Sequence, residues 1–238
     1  MASSQAKKPG APAPKAVLFD AYGTLFDVYS VALLGEQMFP GQGQALAALW
    51  RDKQIEYTRL RSMSGGDGRH YLTLWEITRA ALRYAGLRLA LPLDAEAEDR
   101  LMNQYRHLSA FPENREVLQA LKARGVRAGI LSNGDPEMLA VSVRSCGMSE
   151  LVDPVLSVHA LRRFKTDPAT YALGPQALGL PARDILFVSS NGWDAVGATW
   201  YGYTTLWVNR AGLPPEQLGT EPTRTAGSLR AVLDFFPE

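Results

Sequence analysis

The sequence predicts an α/β protein: a parallel sheet flanked by helices, with a helical segment inserted after the first strand. Three observations carry this. Short apolar runs without clean alternation recur along the chain, as in strands buried on both faces. Helical stretches separate them from residue 108 onward, as parallel strands joined by right-handed crossovers require. Residues 28–107 break that rhythm, with helical periodicity and no convincing strand. The expected organisation is a disordered tail over 1–15, a core of 16–27 plus 108–238, and an inserted helical cap over 28–107.

The elements follow in order. The start, "MASSQAKKPGAPAPK", is small, Pro-rich and basic, the composition of a disordered tail. Val17-Leu18-Phe19 reads as a buried strand that stops at Asp20. In the insert, residues 44–63 place Leu46, Leu49, Trp50, Lys53, Tyr57 and Leu60 on one stripe at helical spacing, and 74–87 form another helix. A helix from Glu113 to Arg124, ended by Gly125, leads into a strand within 126–134. Pro136 to Cys146 is helical, 153–158 a short strand, and Pro168 to Leu178 helical again. A strand within 185–192, a helix from Trp193 to Trp200 and a strand over 204–209 complete the series. Nothing repeats at a fixed period, which argues against a solenoid.

A chain of 238 residues is long enough for one large domain or for a core domain with a second, smaller one. Its 25 basic and 24 acidic side chains leave a formal charge of +1, so no global field points to nucleic acid or a membrane surface as partner. Cys146 is the single cysteine, which excludes an intrachain disulfide and fits a reducing compartment. It ends a helix before Gly147 and reads as a packed, inert thiol. No transmembrane-length or secretory apolar stretch is present, and a cytoplasmic location is expected.

In an open parallel sheet, ligands bind outside the carboxyl ends of the strands. Here each strand hands over to polar residues at that edge. The first ends in Asp20, with Tyr22 and Thr24 just after; another ends in Ser132 and Asn133. A third ends in Ser189, Ser190 and Asn191, with Asp194 opening the next helix, and Lys165 lies on a loop between them. Any one of these serines or asparagines reads as a helix N-cap. Several on one edge, around a carboxylate and a lysine, read as a site. Arg51 lies four residues before Ile55 and shares its helix face. A cation beside an isoleucine facing a cleft suits a leaving anion. His70, His107 and His159 lie outside these motifs and read as surface or packing residues.

The motifs "DAYGTLFDV", "WRDKQIEYTRLRSM", "ILSNGDPEM" and "FVSSNGWDAVGA", with Lys165 between the last two, closely resemble the L-2-haloacid dehalogenases of the haloacid dehalogenase superfamily. The resemblance covers nearly all of the chain after the tail. It implies a Rossmann-like core with an inserted cap, and hydrolysis of short L-2-haloacids to D-2-hydroxyacids, or of haloacetate to glycolate. The route would be an Asp20 ester, with inversion and without cofactor or metal. Thr24 and Ser189 would hold the Asp20 carboxylate, and Lys165 would neutralise it. Asn191 and Asp194 would serve the hydrolytic water, with Tyr171 beside Lys165 and in contact with substrate. Ser132 would take the substrate carboxylate, Arg51 and Asn133 the halide, and Tyr22, Ile55 and Trp193 would wall the alkyl part. The partners so implied are the haloacid and halide, and a second copy in a homodimer.

Two departures separate the chain from the superfamily's phosphatases. Tyr22 stands where they carry a general-acid Asp, and Ser190 where they carry a magnesium ligand. A halide leaves without a proton and needs no metal. The rivals are a phosphatase on a small phosphate ester and a non-catalytic binding protein on the same fold. Within the dehalogenase pattern, Thr166 replaces a proline after the lysine. "SGGDGRHYLTLW" is altered where an aromatic residue covers the site, leaving Tyr71, Leu74 or Trp75 for that role.

Overall fold

The computed structural model describes residues 13–64 and 66–237. Its centre is strand β1, Ala16–Phe19, whose four residues are all buried. Strands β2 (Arg127–Ser132), β3 (Val155–Ser157), β4 (Ile185–Ser189), β5 (Thr204–Val208) and β6 (Arg224–Ala226) complete a sheet in the order β3-β2-β1-β4-β5-β6. Every pairing is parallel. Helices cover both faces, so Val17, Leu18, Phe19, Leu186, Phe187 and Val188 are shielded alike. This is the physical reason the apolar runs do not alternate.

Four helices fill the stretch between β1 and β2 that lacks strand character: α1 (Val31–Met38), α2 (Gly43–Met63), α3 (Leu74–Arg88) and α4 (Ala95–Arg106). The crossovers of the sheet are α5 (Asn114–Ala123), α6 (Pro136–Ser145), α7 (Pro168–Leu178) and α8 (Gly192–Tyr201). Three of the strands are shorter than the apolar runs that announce them, because each gives up its last residues to a polar turn at the sheet edge. Strand β6 has no counterpart in the sequence reading; its three residues carry no buried apolar pattern.

Two expectations need correction. The tail of 1–15 falls mostly outside the described residues, but Lys15 is anchored. Its N–H donates to the Asp184 carbonyl at 2.7 Å and its ammonium reaches the Asp184 carboxylate at 2.8 Å. The stripe on α2 is also rotated from the expected one. The buried face holds Leu46, Ala47, Trp50, Gln54 and Thr58, whereas Leu60 is exposed. Two polar residues, Gln54 and Thr58, turn inward because partners wait for them there.

Candidate active site

β1 lies between β2 and β4, with Phe19 level with Ile130 and Val188. Asp20, one residue further, therefore emerges between the ends of two neighbouring strands. Its N–H still bonds to the Val188 carbonyl at 2.9 Å, which continues the ladder and fixes the side chain's origin. The chain then turns sharply, and the Ala21 carbonyl accepts from Thr24, Leu25 and Phe26. Gly23 takes φ +94° in this turn, a conformation that disfavours any Cβ. The backbone angle and not a lack of space sets this requirement, since a Cβ there would meet the Asn191 amide at 3.5 Å and Arg51 Nη2 at 3.7 Å in ordinary contact.

The Asp20 carboxylate is held by three donors. Oδ1 accepts from Lys165 Nζ at 3.0 Å, and Oδ2 from Thr24 Oγ1 at 3.0 Å and Asn191 Nδ2 at 2.8 Å. Thr24 Oγ1 in turn accepts from the Ser190 N–H at 2.8 Å, which aims its own proton at Asp20. Lys165 is 1% exposed and bridges to Asp194 Oδ2 at 3.1 Å. Burial opposes its charge, but Asp194 and Asp20 outweigh that, and its pKa ends above the ordinary lysine value. Burial pushes the Asp194 carboxyl up, against the attraction of Lys165, and Tyr171 Oη donates to its Oδ1 at 2.7 Å.

Asp20, Tyr22, Ser132, Asn133, Asn191 and Trp193 line one side of a small cavity. Arg51, Gln54, Ile55, Thr58 and Leu74 of α2 and α3 line the other. Arg51 points into this space and not to solvent. Its Nη2 donates to the Tyr22 carbonyl at 3.0 Å and Asn191 Oδ1 at 3.1 Å, its Nη1 to Gln54 Oε1 at 2.7 Å. Asn133 Oδ1 accepts from the Lys165 N–H at 2.9 Å, which leaves the amide NH₂ as its remaining donor. Ser132 Oγ accepts from the Gly134 N–H at 3.0 Å and keeps its own proton to donate.

Two expected contacts are not made. Ser189 Oγ accepts from the Asn191 N–H at 3.1 Å; the side chain that joins Thr24 on Asp20 Oδ2 is Asn191. A short hydroxyl at a strand end satisfies the local turn first. Tyr171, expected to contact substrate, is 1% exposed, lies behind Asp194 and does not line the cavity. Of the three residues left open for the cover, Leu74 lines the cavity. Tyr71 instead stacks on Phe164 at 5.1 Å, and Trp75 lies under the Arg106 guanidinium at 4.6 Å.

The sequence reading also missed residues. Gln54 and Tyr105 hold Arg51 from behind: Gln54 Oε1 takes the guanidinium, and its Nε2 donates to Tyr105 Oη at 3.0 Å. Tyr105 stacks on Tyr22 at 6.0 Å. The available signal was Gln54 three residues after Arg51, hence on a neighbouring face of the same helix. Cys146 is half-buried with Sγ directed at the Leu108 carbonyl, and burial raises its pKa away from thiolate chemistry. A larger groove, of about 390 Å³, lies between α8 and residues 207–225 and contains none of the Asp20 cluster.

A divalent cation does not fit this donor set. Lys165 already occupies the space between the two carboxylates. Ser190 Oγ, at the phosphatase metal-ligand position, accepts from Arg210 Nη1 at 2.7 Å. Among the described residues, no three His, Cys, Asp or Glu side chains group to hold a metal.

Comparison with known proteins places the chain in a family. The model of haloacid dehalogenase-like hydrolases matches residues 14–202. An (S)-2-haloacid dehalogenase of Pseudomonas sp. (strain YL) is 43% identical over 222 residues, 93% of this chain and 94% of its own. The crystal structure of an L-2-haloacid dehalogenase superposes with a TM-score of 0.92 at 58% identity, covering 94% of this chain and 99% of that one. The Xanthobacter autotrophicus L-2-haloacid dehalogenase with chloropropionic acid covalently bound gives 0.83 at 35% identity, covering 92% and 96%. The protein is therefore a hydrolase of the haloacid dehalogenase-like family, similar along nearly its whole length to the L-2-haloacid dehalogenases.

Proposed function

We propose that the chain hydrolyses short-chain L-2-haloacids to D-2-hydroxyacids, and haloacetate to glycolate, through an ester on Asp20. The observation that carries this reading is the Asp20 carboxylate held by Lys165, Thr24 and Asn191 at the floor of a cavity whose facing wall carries Arg51. An Asp20 oxygen attacks C2 of the acid, the new C–O bond forms as the carbon–halogen bond breaks, and the halide leaves with the bonding pair. Three fixed donors align the nucleophile so that little reorganisation is left for the reaction.

Ser132 and nearby peptide N–H groups take the substrate carboxylate, and Arg51 and Asn133 take the halide. Tyr22, Ile55, Leu74 and Trp193 surround the alkyl part. Water then attacks the ester carbonyl carbon of Asp20 and gives up its proton towards Asp194, the carboxylate that Lys165 Nζ links to Asp20, and that proton passes on to the departing alcohol oxygen. The alcohol oxygen that leaves came from Asp20, so the substrate carbon is inverted once. No metal takes part. No observation favours phosphoryl transfer.

A single turnover in heavy-oxygen water tests the covalent route. The label is expected in Asp20 and not in the first hydroxyacid; label appearing directly in that product would mean that water attacks C2.

The inserted residues 28–107 act in this reading as a cap that closes the cavity over the 16–27 and 108–238 core. The protein is proposed to be a cytoplasmic homodimer that binds neither nucleic acid nor membrane. No helix among the described residues is long and apolar enough to cross a membrane, and Leu60, Met63 and Leu87 stand exposed on α2 and α3. Sedimentation should give twice the mass of one chain, and cell fractionation should recover the activity without detergent; a monomer or a membrane-bound activity would overturn the respective claim.

A further inference from the structure

Asp135 opens α6 ahead of Pro136, and an Asp-Pro pair at that place normally caps its own helix. Here the carboxylate makes no bond to α6. It reaches across the cavity wall to another helix 60 residues earlier in the chain. Oδ1 accepts from the Leu74 N–H at 3.0 Å and Oδ2 from the Trp75 N–H at 2.9 Å, the first two peptide donors of α3. The capping box of Thr73 and Glu76 satisfies the next donor and that of Thr73 itself. Asp135 thus completes a helix end that would otherwise hold two unpaired N–H groups, where a negative charge is also favoured by the helix dipole.

The position of this carboxylate matters more than its capping strength. It follows Ser132 and Asn133 by three and two residues in one turn, and it is buried. Leu74, whose N–H it holds, is the first residue of α3 and lines the cavity. His159 Nδ1 stands 3.6 Å from Asp135 Oδ1, and Tyr71 Oη bonds to that nitrogen at 3.0 Å, so the cluster ties a third segment to the same point. One side chain therefore sets the separation between the turn that carries Ser132 and Asn133 and the apolar wall opposite.

We propose that Asp135 is a positioning residue for substrate selection: by clamping α3 to the 132–135 turn it holds Leu74 at a fixed height above the cavity and limits the size of the 2-substituent. The selection half of this claim rests on the haloacid reading; the clamp itself does not. Removing the carboxylate leaves two N–H groups that must find water, and α3 must lift to admit it. Asparagine keeps one acceptor oxygen but turns an NH₂ towards the second donor, so its effect is intermediate.

The test uses the full-length protein with Asp135→Ala, Asp135→Asn and Leu74→Ala. Hydrogen exchange at the Leu74 and Trp75 amides is expected to quicken at least tenfold in Asp135→Ala and less in Asp135→Asn, with the β1 and β4 amides still protected. The wild-type preference in kcat/KM for L-2-chloropropionate over L-2-chlorohexanoate should fall by roughly tenfold in Asp135→Ala, with KM moving more than kcat. Leu74→Ala should reproduce the change, and the double variant should add little to it. Unchanged exchange at the two amides overturns the clamp. Faster exchange with unaltered chain-length preference overturns the role in selection. A wild-type protein that releases no halide from either acid overturns the dehalogenase reading and the selection claim with it, while the exchange measurement still decides the clamp. If Asp135→Ala does not fold, Asp135→Asn carries both measurements.

Discussion

Arg51 is where a single side chain decides between two readings of a helix face. Arginine on an amphipathic helix usually meets solvent, yet this one forks towards Gln54, the Tyr22 carbonyl and Asn191. Two of its nitrogens make three bonds from one rigid fork, which an ammonium on a flexible stem cannot copy. Arg51→Lys is expected to lower kcat/KM on L-2-chloropropionate by roughly 100-fold while circular dichroism stays unchanged. Near-normal turnover would return Arg51 to a structural role. Asp20, Ser132 and Asn191 were legible because each follows or ends a strand at the same edge and has the chemistry of a donor or acceptor, and Lys165 because its loop leads to that edge. Ser189 and Tyr171 were placed in the right neighbourhood but with the wrong contacts. Which of two adjacent polar groups touches a carboxylate depends on rotamers and local turn bonds, and spacing along the chain carries neither.

Helix α7 shows what an element adds. Pro175 stands inside it and has no N–H, so the Tyr171 carbonyl four residues back loses its helical partner. Tyr203 Oη donates to that carbonyl at 2.5 Å and repairs the gap from the end of the next crossover. Gly174 makes room for this. A methyl there would run into Tyr203 Oη and lie 2.5 Å from Leu18 Cδ1. Gly-to-Ala in a helix ordinarily gains about 1 kcal/mol. Here the overpacking dominates, and Gly174→Ala is expected to lose about 2 kcal/mol in urea denaturation; a gain would show that the helix has slack. The helix itself was readable from its two ends. Helix α2 was readable in extent but not in orientation, because a pattern of apolar residues cannot show that Gln54 and Thr58 face inwards. Their partners, Thr78 and Tyr105 for Gln54 and the Ile55 carbonyl for Thr58, come from α3, α4 and the helix's own turn.

For the whole molecule, topology explains why so few motifs sufficed. With β1 in the middle of the sheet, residues 145 and 171 positions away from Asp20 meet it directly. The strand-and-helix rhythm predicted that edge; the short strand β6, lacking any pattern of its own, stayed invisible. The arrangement also separates the two chemistries the fold can host. Phosphoryl transfer needs its charge offset, usually by a metal, whereas Lys165 fills the space between the carboxylates and Arg210 holds Ser190. Turnover of L-2-chloropropionate is expected to survive exhaustive chelation and gain nothing from magnesium, with p-nitrophenyl phosphate hydrolysis near background in both conditions. Magnesium-dependent phosphatase activity far above haloacid turnover would sink the dehalogenase reading. The buried lysine has one more consequence. Lys165 is outnumbered by Asp20 and Asp194, so with all three ionised the enclosed group carries one surplus negative charge. In the proposed reaction, alkylation converts Asp20 to a neutral ester and leaves Lys165 and Asp194 as a matched pair. The surplus departs on the halide towards Arg51, away from the lysine. At the lysine the resting enzyme holds a surplus negative charge that the alkylated enzyme does not, since the carboxylate left on the ester lies at Ser132, and displacement relieves the local imbalance before hydrolysis begins.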